Sequence, residues 1–474
     1  MQPSSTDVTR ERPYLWTVVV LIAAAPLVTL LCLTLWRMPF PASEAIAIFE
    51  DVARQPALAF AVPDTAYYRP LFHITISAMW HNAGSLAAAL GWIKLLHIVP
   101  IVLLVALFVA HVRPRTFVEA AAAAAGLAVV IGSPGFRDNL EIPLSYTIVG
   151  MPLALAVWML LTRERRMWHQ PLIVALVLVA IGFKEQGLVL VPLVLAMWWM
   201  RAPGASGITA AALTGVAVVY VVLRAMWNEE WSMFEQAVGL GFGEMEPAEA
   251  EARYGQFPYF LYAYSGAATI ANVLFAEPTR GTFSIVRALL DGHPQPWQLV
   301  HLGSSVALTS IIAWWAVGIV KQAVRTGWSD DARLCVALVI VLLASGALSF
   351  NYSRDRLGGM AVPLYALAAY HALHAAVDRV STAPRLPFAA AALMLFVVAA
   401  GWQLRALGTL ERTRLTSTRN QTEWLVALPQ RRFEFADRPV YLRIMHSMIE
   451  QGTAADIPRP TRFPRRISQW IGEL

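Results

Sequence analysis

The sequence predicts an all-α polytopic membrane protein of about eleven transmembrane helices. Three observations carry that expectation. Of 474 residues, 57% are hydrophobic and only 14% charged, and the mean hydropathy is +0.54, whereas soluble domains carry about 25% charge. The apolar residues fall into runs close to the roughly 20 that a helix needs to cross hydrocarbon. The links between runs alternate between arginine-rich turns and turns that mix acids with cations, the asymmetry that sets orientation.

The first span covers 14–36, and Arg10 and Arg12 before it place the N-terminus on the cytoplasmic side. The run is too long for the core of a cleaved leader and reads as a retained span. An outer loop, 37–89, follows. It concentrates Glu44, Glu50, Asp51, Arg54, Asp64 and Arg69 in a chain that otherwise spends little on charge. Its first half reads as a helix, with Pro41 and Ser43 at the start and Ala45, Ile48, Phe49 and Val52 at helical spacing. In its second half Arg69-Pro70-Leu71 leads into Phe72, Ile74, Ile76 and Met79.

The second span, 90–112, ends at Arg113 and Arg115. The third, 118–132, opens into a second outer loop, 133–141, carrying Arg137, Asp138 and Glu141. The fourth, 145–161, ends in Arg163-Glu164-Arg165-Arg166, the strongest cytoplasmic marker in the chain. The run 172–183 climbs outward to Lys184-Glu185, and 187–200 returns to Arg201. Both are short, as broken or tilted spans are.

The run 208–223 crosses into a long outer segment, 225–298, with nine acidic and three basic residues and apolar stretches that read as interfacial. The run 299–320 returns to Lys321 and Arg325, 334–350 goes out to a polar turn at 351–356, 357–377 comes back, and 386–407 crosses last. A tail, 408–474, is left on the outer side with eleven arginines against seven acids, and a small helical cap is expected of it.

Composition excludes some functions. A net charge of +6 suits anionic lipid and does not argue for nucleic acid. The 17 tryptophans suit interfacial belts. Cys32 and Cys335 lie in apolar runs and read as core residues rather than a disulfide or metal pair. His73, His81 and His97 do not make a ligand set, and Gly239, Gly241 and Gly243 lack the residues of a phosphate loop.

Four outer turns carry the candidate chemistry: 44–69, 137–141, 184–185 and 354–356. If all four face one cavity, carboxylates supply base catalysis and cations grip phosphate, arginine as a bidentate fork. Each has a bland reading beside it. Glu44 suits the dipole at a helix start. Asp138 and Glu141 could solvate a loop, Arg69 could snorkel to the interface, and Lys184-Glu185 could compensate itself. Arg354-Asp355-Arg356 could be an ordinary polar turn.

On these residues the chain resembles the polytopic GT-C glycosyltransferases that use polyprenyl-phosphate sugar donors, such as protein O-mannosyltransferases and the lipid A aminoarabinose transferase. The matching pieces are Ser43-Glu44 after the first span, Tyr68-Arg69-Pro70-Leu71, Arg137-Asp138-Asn139-Leu140-Glu141, Phe183-Lys184-Glu185-Gln186-Gly187, and Arg356-Leu357 before Pro363-Leu364-Tyr365-Ala366. The departures are a single acid at Glu44 where a pair is common, Arg69-Pro70 at the proline pair, which leaves the usual lysine without a counterpart, and a short tail where some relatives carry a periplasmic domain.

The resemblance implies one GT-C-like transmembrane domain over 1–407 and a periplasmic tail over 408–474. It implies Glu44 as catalytic carboxylate, with Asp138 or Glu141 as a second acid. It also implies Arg69, Lys184, Arg354 and Arg356 at the donor phosphate. The function it implies is inverting transfer of a sugar from a polyprenyl-phosphate carrier to a cell-surface glycan, lipid or protein, at the outer face of the bacterial inner membrane. No metal ligand is assigned, and use of a divalent metal stays open. The alternatives are an O-antigen polymerase or ligase, against which the acidic outer segment counts, and a lipid or solute transporter. Transporters carry repeats and midplane charges, whereas here no repeat is evident and the charges lie at span ends.

Overall fold

A computed structural model describes residues 14–38, 52, 69–141, 147–226, 238–240, 243–245, 247–256, 259–279, 283–381 and 385–422. In chain order its helices are α1 (Leu15–Arg37), α2 (Pro70–Asn82), α3 (Leu86–Val112), α4 (Phe117–Gly132), α5 (Pro134–Glu141), α6 (Thr147–Thr162) and α7 (His169–Phe183). A 3₁₀ turn at Glu185–Val189 leads into α8 (Leu190–Trp199) and then α9 (Gly207–Met226). A two-stranded antiparallel hairpin, Val238–Leu240 with Gly243–Met245, interrupts the helices. There follow α10 (Pro247–Tyr254), α11 (Phe260–Phe275), α12 (Ser284–Leu290), α13 (Pro296–Thr326) and α14 (Asp330–Leu348). A second 3₁₀ turn, Asp355–Ala361, opens α15 (Val362–Ser381), and α16 (Arg385–Thr422) comes last.

Among the described residues six helices are long and apolar enough to cross a membrane, or seven if the bent pair α4–α5 counts as one span. Five shorter apolar helices, α6 to α9 and α11, accompany them. Their outer faces carry exposed Ile22, Val99, Val218, Val317, Leu343 and Phe396. Water would penalise such a surface and lipid does not. The chain is a multi-pass membrane protein.

At the centre runs α4, whose Ala120, Ala123, Ala125 and Gly126 are buried and let α1, α15 and α16 close around a slim rod. The helix α3 packs on α6, α7 on α6, and α14 on α8. Small residues carry other contacts. A Cβ on Gly346 of α14 would sit 2.9 Å from the carbonyl oxygen of Gly266 in α11, and one on Gly266 would sit 3.0 Å from that of Gly346. The two backbones therefore touch.

Each predicted span has a helix, and four differences are local. The loop expected at 133–141 is largely the helix α5, bent 52° from α4. Ser133 accepts a hydrogen bond from the Phe136 amide at 3.2 Å, and Pro134 fills the first helical position, so the chain restarts instead of unravelling. The span expected at 187–200 is broken into a 3₁₀ turn and α8. Gly187 sits so close to the end of α7 that a Cβ there would lie 2.3 Å from the Ile181 nitrogen. Within the segment read as interfacial, α11 packs into the bundle against α13 and α14 and buries Leu261, Ala268 and Val273. Finally, α16 runs to Thr422, well past 407, with Thr409 and Thr413 buried. The first half of the 37–89 loop, Val52 apart, lies outside the described residues, as does the tail beyond 422.

The glycine contact gives a stability test. Gly346→Val forces a side chain into the α11 backbone and should cost roughly 1–3 kcal/mol, the usual penalty for overpacking. Gly318→Ala on α13, where a Cβ meets nothing within 4 Å, should be neutral or stabilising. Thermal unfolding of the two variants in detergent checks the pair; equal unfolding temperatures would contradict the close packing.

Candidate functional site

Three kinds of helix break meet at one end of the bundle: the start of α2, the α4–α5 bend, and the two 3₁₀ turns. A break leaves backbone groups unpaired and admits charge, and here the charges face each other. Arg69 stands just before α2 and reaches Glu185, the first residue of the first 3₁₀ turn. Its Nε donates to Glu185 Oε2 and its Nη2 to Oε1, both at 2.9 Å. Lys184 Nζ lies 3.0 Å from the same Oε1. Arg69, Lys184 and Glu185 are only 9%, 3% and 8% exposed. Two cations thus share one carboxylate out of water.

The second 3₁₀ turn brings the next group. Asp138 on α5 accepts a hydrogen bond from the Arg356 amide at 3.1 Å, and the Arg356 guanidinium lies 3.9 Å from the same oxygen. A carboxylate at the start of a helical turn satisfies an amide that has no partner within the turn. Asp355 accepts from Asn272 Nδ2 of α11 at 3.0 Å, and that amide also donates to Pro278 O at 3.1 Å. The two 3₁₀ turns touch, and the Arg356 charge acts on Lys184. The cluster is therefore continuous from Arg69 to Asn272.

Glu277 lies beyond α11 and is 4% exposed. Its carboxyl accepts from the Ile285 amide at 3.3 and 3.4 Å. Burial pushes it up to about 7; the backbone hydrogen bond at Ile285 works against that rise and nearby Asp355 adds to it.

A further cation supports the α4–α5 bend from behind. Arg405 of α16 is fully buried with its guanidinium 3.6 Å from the Trp402 ring. Nε donates to Gly132 O at 3.2 Å, while Nη1 donates to Ser304 Oγ at 3.1 Å and Ser305 Oγ at 2.6 Å. Thr409 Oγ1 adds a bond to Ile131 O at 2.7 Å. These contacts satisfy carbonyls that the end of α4 leaves over, and they tie the bend to α13.

Of the residues singled out from sequence, the structure brings together Arg69, Lys184, Asp138 and Arg356. Arg69 is not snorkelling and Asp138 is not solvating a loop, because both are buried in pairs. Arg354 precedes the second 3₁₀ turn in extended backbone. Glu141 is the last residue of α5, and its side chain is outside the described set. Glu44 lies outside the described residues altogether.

Sequence reasoning passed over Asn272, Glu277 and Arg405. An arginine inside an apolar run was the one available signal. Among the described residues no three His, Cys, Asp or Glu side chains converge as metal ligands. His73 donates through Nδ1 to Arg69 O at 3.0 Å, and His81 Nε2 lies 3.1 Å from Val52 O.

Two outcomes follow from this geometry. Glu185→Gln removes the carboxylate that Arg69 and Lys184 share and should cost about 3–5 kcal/mol of stability. Replacing all three with apolar residues of similar volume should restore most of it. Thermal unfolding decides, and an unchanged Glu185→Gln would show that the trio is not buried. For Glu277 the folded value is raised above the ordinary 4.5. Its contribution to stability is complete below about 4.5 and is lost as pH rises through about 7. The stability of wild type relative to Glu277→Gln should therefore fall across that window, and a flat difference would show that Glu277 is solvated.

No family model matches the chain, and no curated protein matches it. Among solved structures the chain is similar to the crystal structure of ArnT from Cupriavidus metallidurans bound to undecaprenyl phosphate. The identity is 15%, over 92% of this chain and 78% of that one, with a TM-score of 0.41.

Proposed function

We propose that the chain is a GT-C-type glycosyltransferase that moves a sugar from a polyprenyl-phosphate carrier to a cell-surface glycan, lipid or protein. The observation that carries this reading is the buried trio of Arg69, Lys184 and Glu185 beside Asp138 and Arg356. Charged side chains gathered at helix breaks inside an apolar bundle are costly and mark a place where a charged ligand is handled. The phosphate of a lipid-borne donor is such an anion, and its chain can stay in the surrounding hydrocarbon.

In this reading an acceptor hydroxyl attacks the anomeric carbon from the side opposite the phosphate. The bond from that carbon to the phosphate oxygen breaks, and the configuration inverts. Glu44, in the segment joining α1 to α2, takes the hydroxyl proton. Polyprenyl phosphate leaves with the bonding pair, and Lys184, Arg69, Arg354 and Arg356 stabilise its charge.

Glu185 holds the Arg69 fork until the phosphate competes for it, and two carboxylate-like partners then share two cations. Asp138 acts through Arg356, whose amide and guanidinium it holds. Glu141 remains the second acid available to the acceptor. The reading places the cluster at the outer face of a bacterial inner membrane, opposite the arginine-rich links at 163–166 and 201.

The test is transfer in reconstituted vesicles from a panel of polyprenyl-phosphate sugars. Glu44→Gln should lose at least ~100-fold in rate, the low end of what a general base contributes, with its unfolding temperature unchanged. Lys184→Gln should raise KM for donor more than it lowers kcat. A fully active Glu44→Gln removes the proposed base. Absence of transfer from every donor, alongside saturable flux of a polyprenyl phosphate across the vesicle, would favour a transporter instead.

A further inference from the structure

At the opposite end of the bundle, three helix ends and half of a fourth helix line a half-open cavity of about 310 Å³. They are the C-termini of α3 and α6, the N-terminus of α14 and the second half of α15. The volume is at the lower end of what small-molecule sites use. Its lining includes His111, Arg113, Trp158, Arg163, Asp331 and His371. None of these belongs to the cluster around Glu185.

The charges in this cavity are not balanced among themselves. Asp330, also on the wall, lies 2.8 Å from the Arg333 guanidinium. Asp331 faces His371 Nδ1 at 3.3 Å, and the His371 ring stacks on Trp315 with 15° between the planes. Both acids sit in the first turn of α14, where the helix dipole also favours them. His111 Nε2 accepts a hydrogen bond from Trp158 Nε1 at 3.4 Å, which leaves the imidazole neutral with its proton on Nδ1.

Arg113 and Arg163 remain, both exposed at the mouth of the cavity, and among the described residues neither forms an ion pair. Arg113 is held in place: it follows α3 in the left-handed region, with φ 43°, and its Nε donates to Ala110 O at 3.0 Å. A non-glycine residue there is strained by about 1–2 kcal/mol. The orientation rule accounts for arginines in these links. It does not account for two of them lining one cavity, where they outnumber Asp331, whose neighbour His371 is a counter-charge only when protonated.

We propose that this cavity is a second anion site, and that its ligand is a phosphate monoester or a diphosphate. Two guanidinium forks match phosphate oxygens bidentately, and Trp158 offers a flat apolar wall for whatever the phosphate carries. The phosphate can come from a lipid headgroup in the adjoining leaflet or from a soluble ester.

The test uses the full chain in an uncharged detergent and isothermal titration with two probes: inorganic pyrophosphate, and dihexanoyl phosphatidic acid with dihexanoyl phosphatidylcholine as blank. Saturable binding is expected for at least one probe in an Arg356→Gln background, which weakens the donor-phosphate cluster, and it falls at least about tenfold when Arg113→Gln/Arg163→Gln is added. Binding of pyrophosphate alone identifies a soluble ester, and binding of phosphatidic acid alone identifies a headgroup.

Arg113→Gly guards against a folding artefact. Glycine takes the left-handed backbone without strain, so this variant should unfold no earlier than wild type and still bind more weakly. No binding by either probe overturns the proposal. So does binding that survives Arg113→Gln/Arg163→Gln in that background. Loss of transfer in Glu44→Gln has no bearing on this result, so the two readings fail separately.

Discussion

A carboxylate buried among apolar helices must be answered by cations, and in this chain Glu185 is answered twice. The bidentate grip of Arg69 and the contact of Lys184 let an acid sit 8% exposed where the bundle is otherwise oily. Much of the local architecture serves that arrangement. The span that carries Glu185 breaks into a 3₁₀ turn, Gly187 presses the turn onto α7, and α2 begins with proline right after Arg69. Removing one partner from such a group is costly because the remaining charge has no water to turn to.

The same logic repeats along that end of the molecule with different partners. Asp138 caps the second 3₁₀ turn at Arg356, Asn272 holds Asp355, and Arg405 holds the carbonyls that α4 leaves behind at its bend. Two of these are backbone groups at helix breaks satisfied by a side chain from elsewhere in the chain, and the Asn272–Asp355 contact joins two side chains. The outcome is a polar floor of buried pairs set at helix ends. In the proposed reading, a phosphate held in register needs such a floor.

At the other end the polar groups serve a different purpose. Short links join consecutive helices, Gln170 donates to Gly204 O at 2.6 Å, and Arg333 reaches Arg201 O at 3.3 Å. The acids there are spent on the first turn of α14. The two ends are thus unlike: one gathers buried pairs at helix breaks, and the other leaves arginines lining a cavity.

How far the sequence reaches can be judged residue by residue. Hydropathy alone located every long helix, because a run of apolar side chains of membrane length has one stable conformation in lipid. The restart at Ser133-Pro134 was written locally as a cap and went unread, since charged residues after it suggested a loop. The packing of α11 was hidden because its moderate length and acidic surroundings resemble an interfacial helix. Only contact with α13 and α14 distinguishes the two.

Among the site residues, Arg69, Lys184, Asp138 and Arg356 stood out as charges in a chain that spends few. Their pairings did not. Arg69 and Glu185 are 116 residues apart, and Arg405 meets Gly132 across 273. The sequence by itself determined which segments are helical and which charges cannot remain in lipid, because both follow from the transfer of side chains out of water. Tertiary structure alone decided which charge answers which, because ion pairing depends on distances that packing sets and that no local pattern encodes.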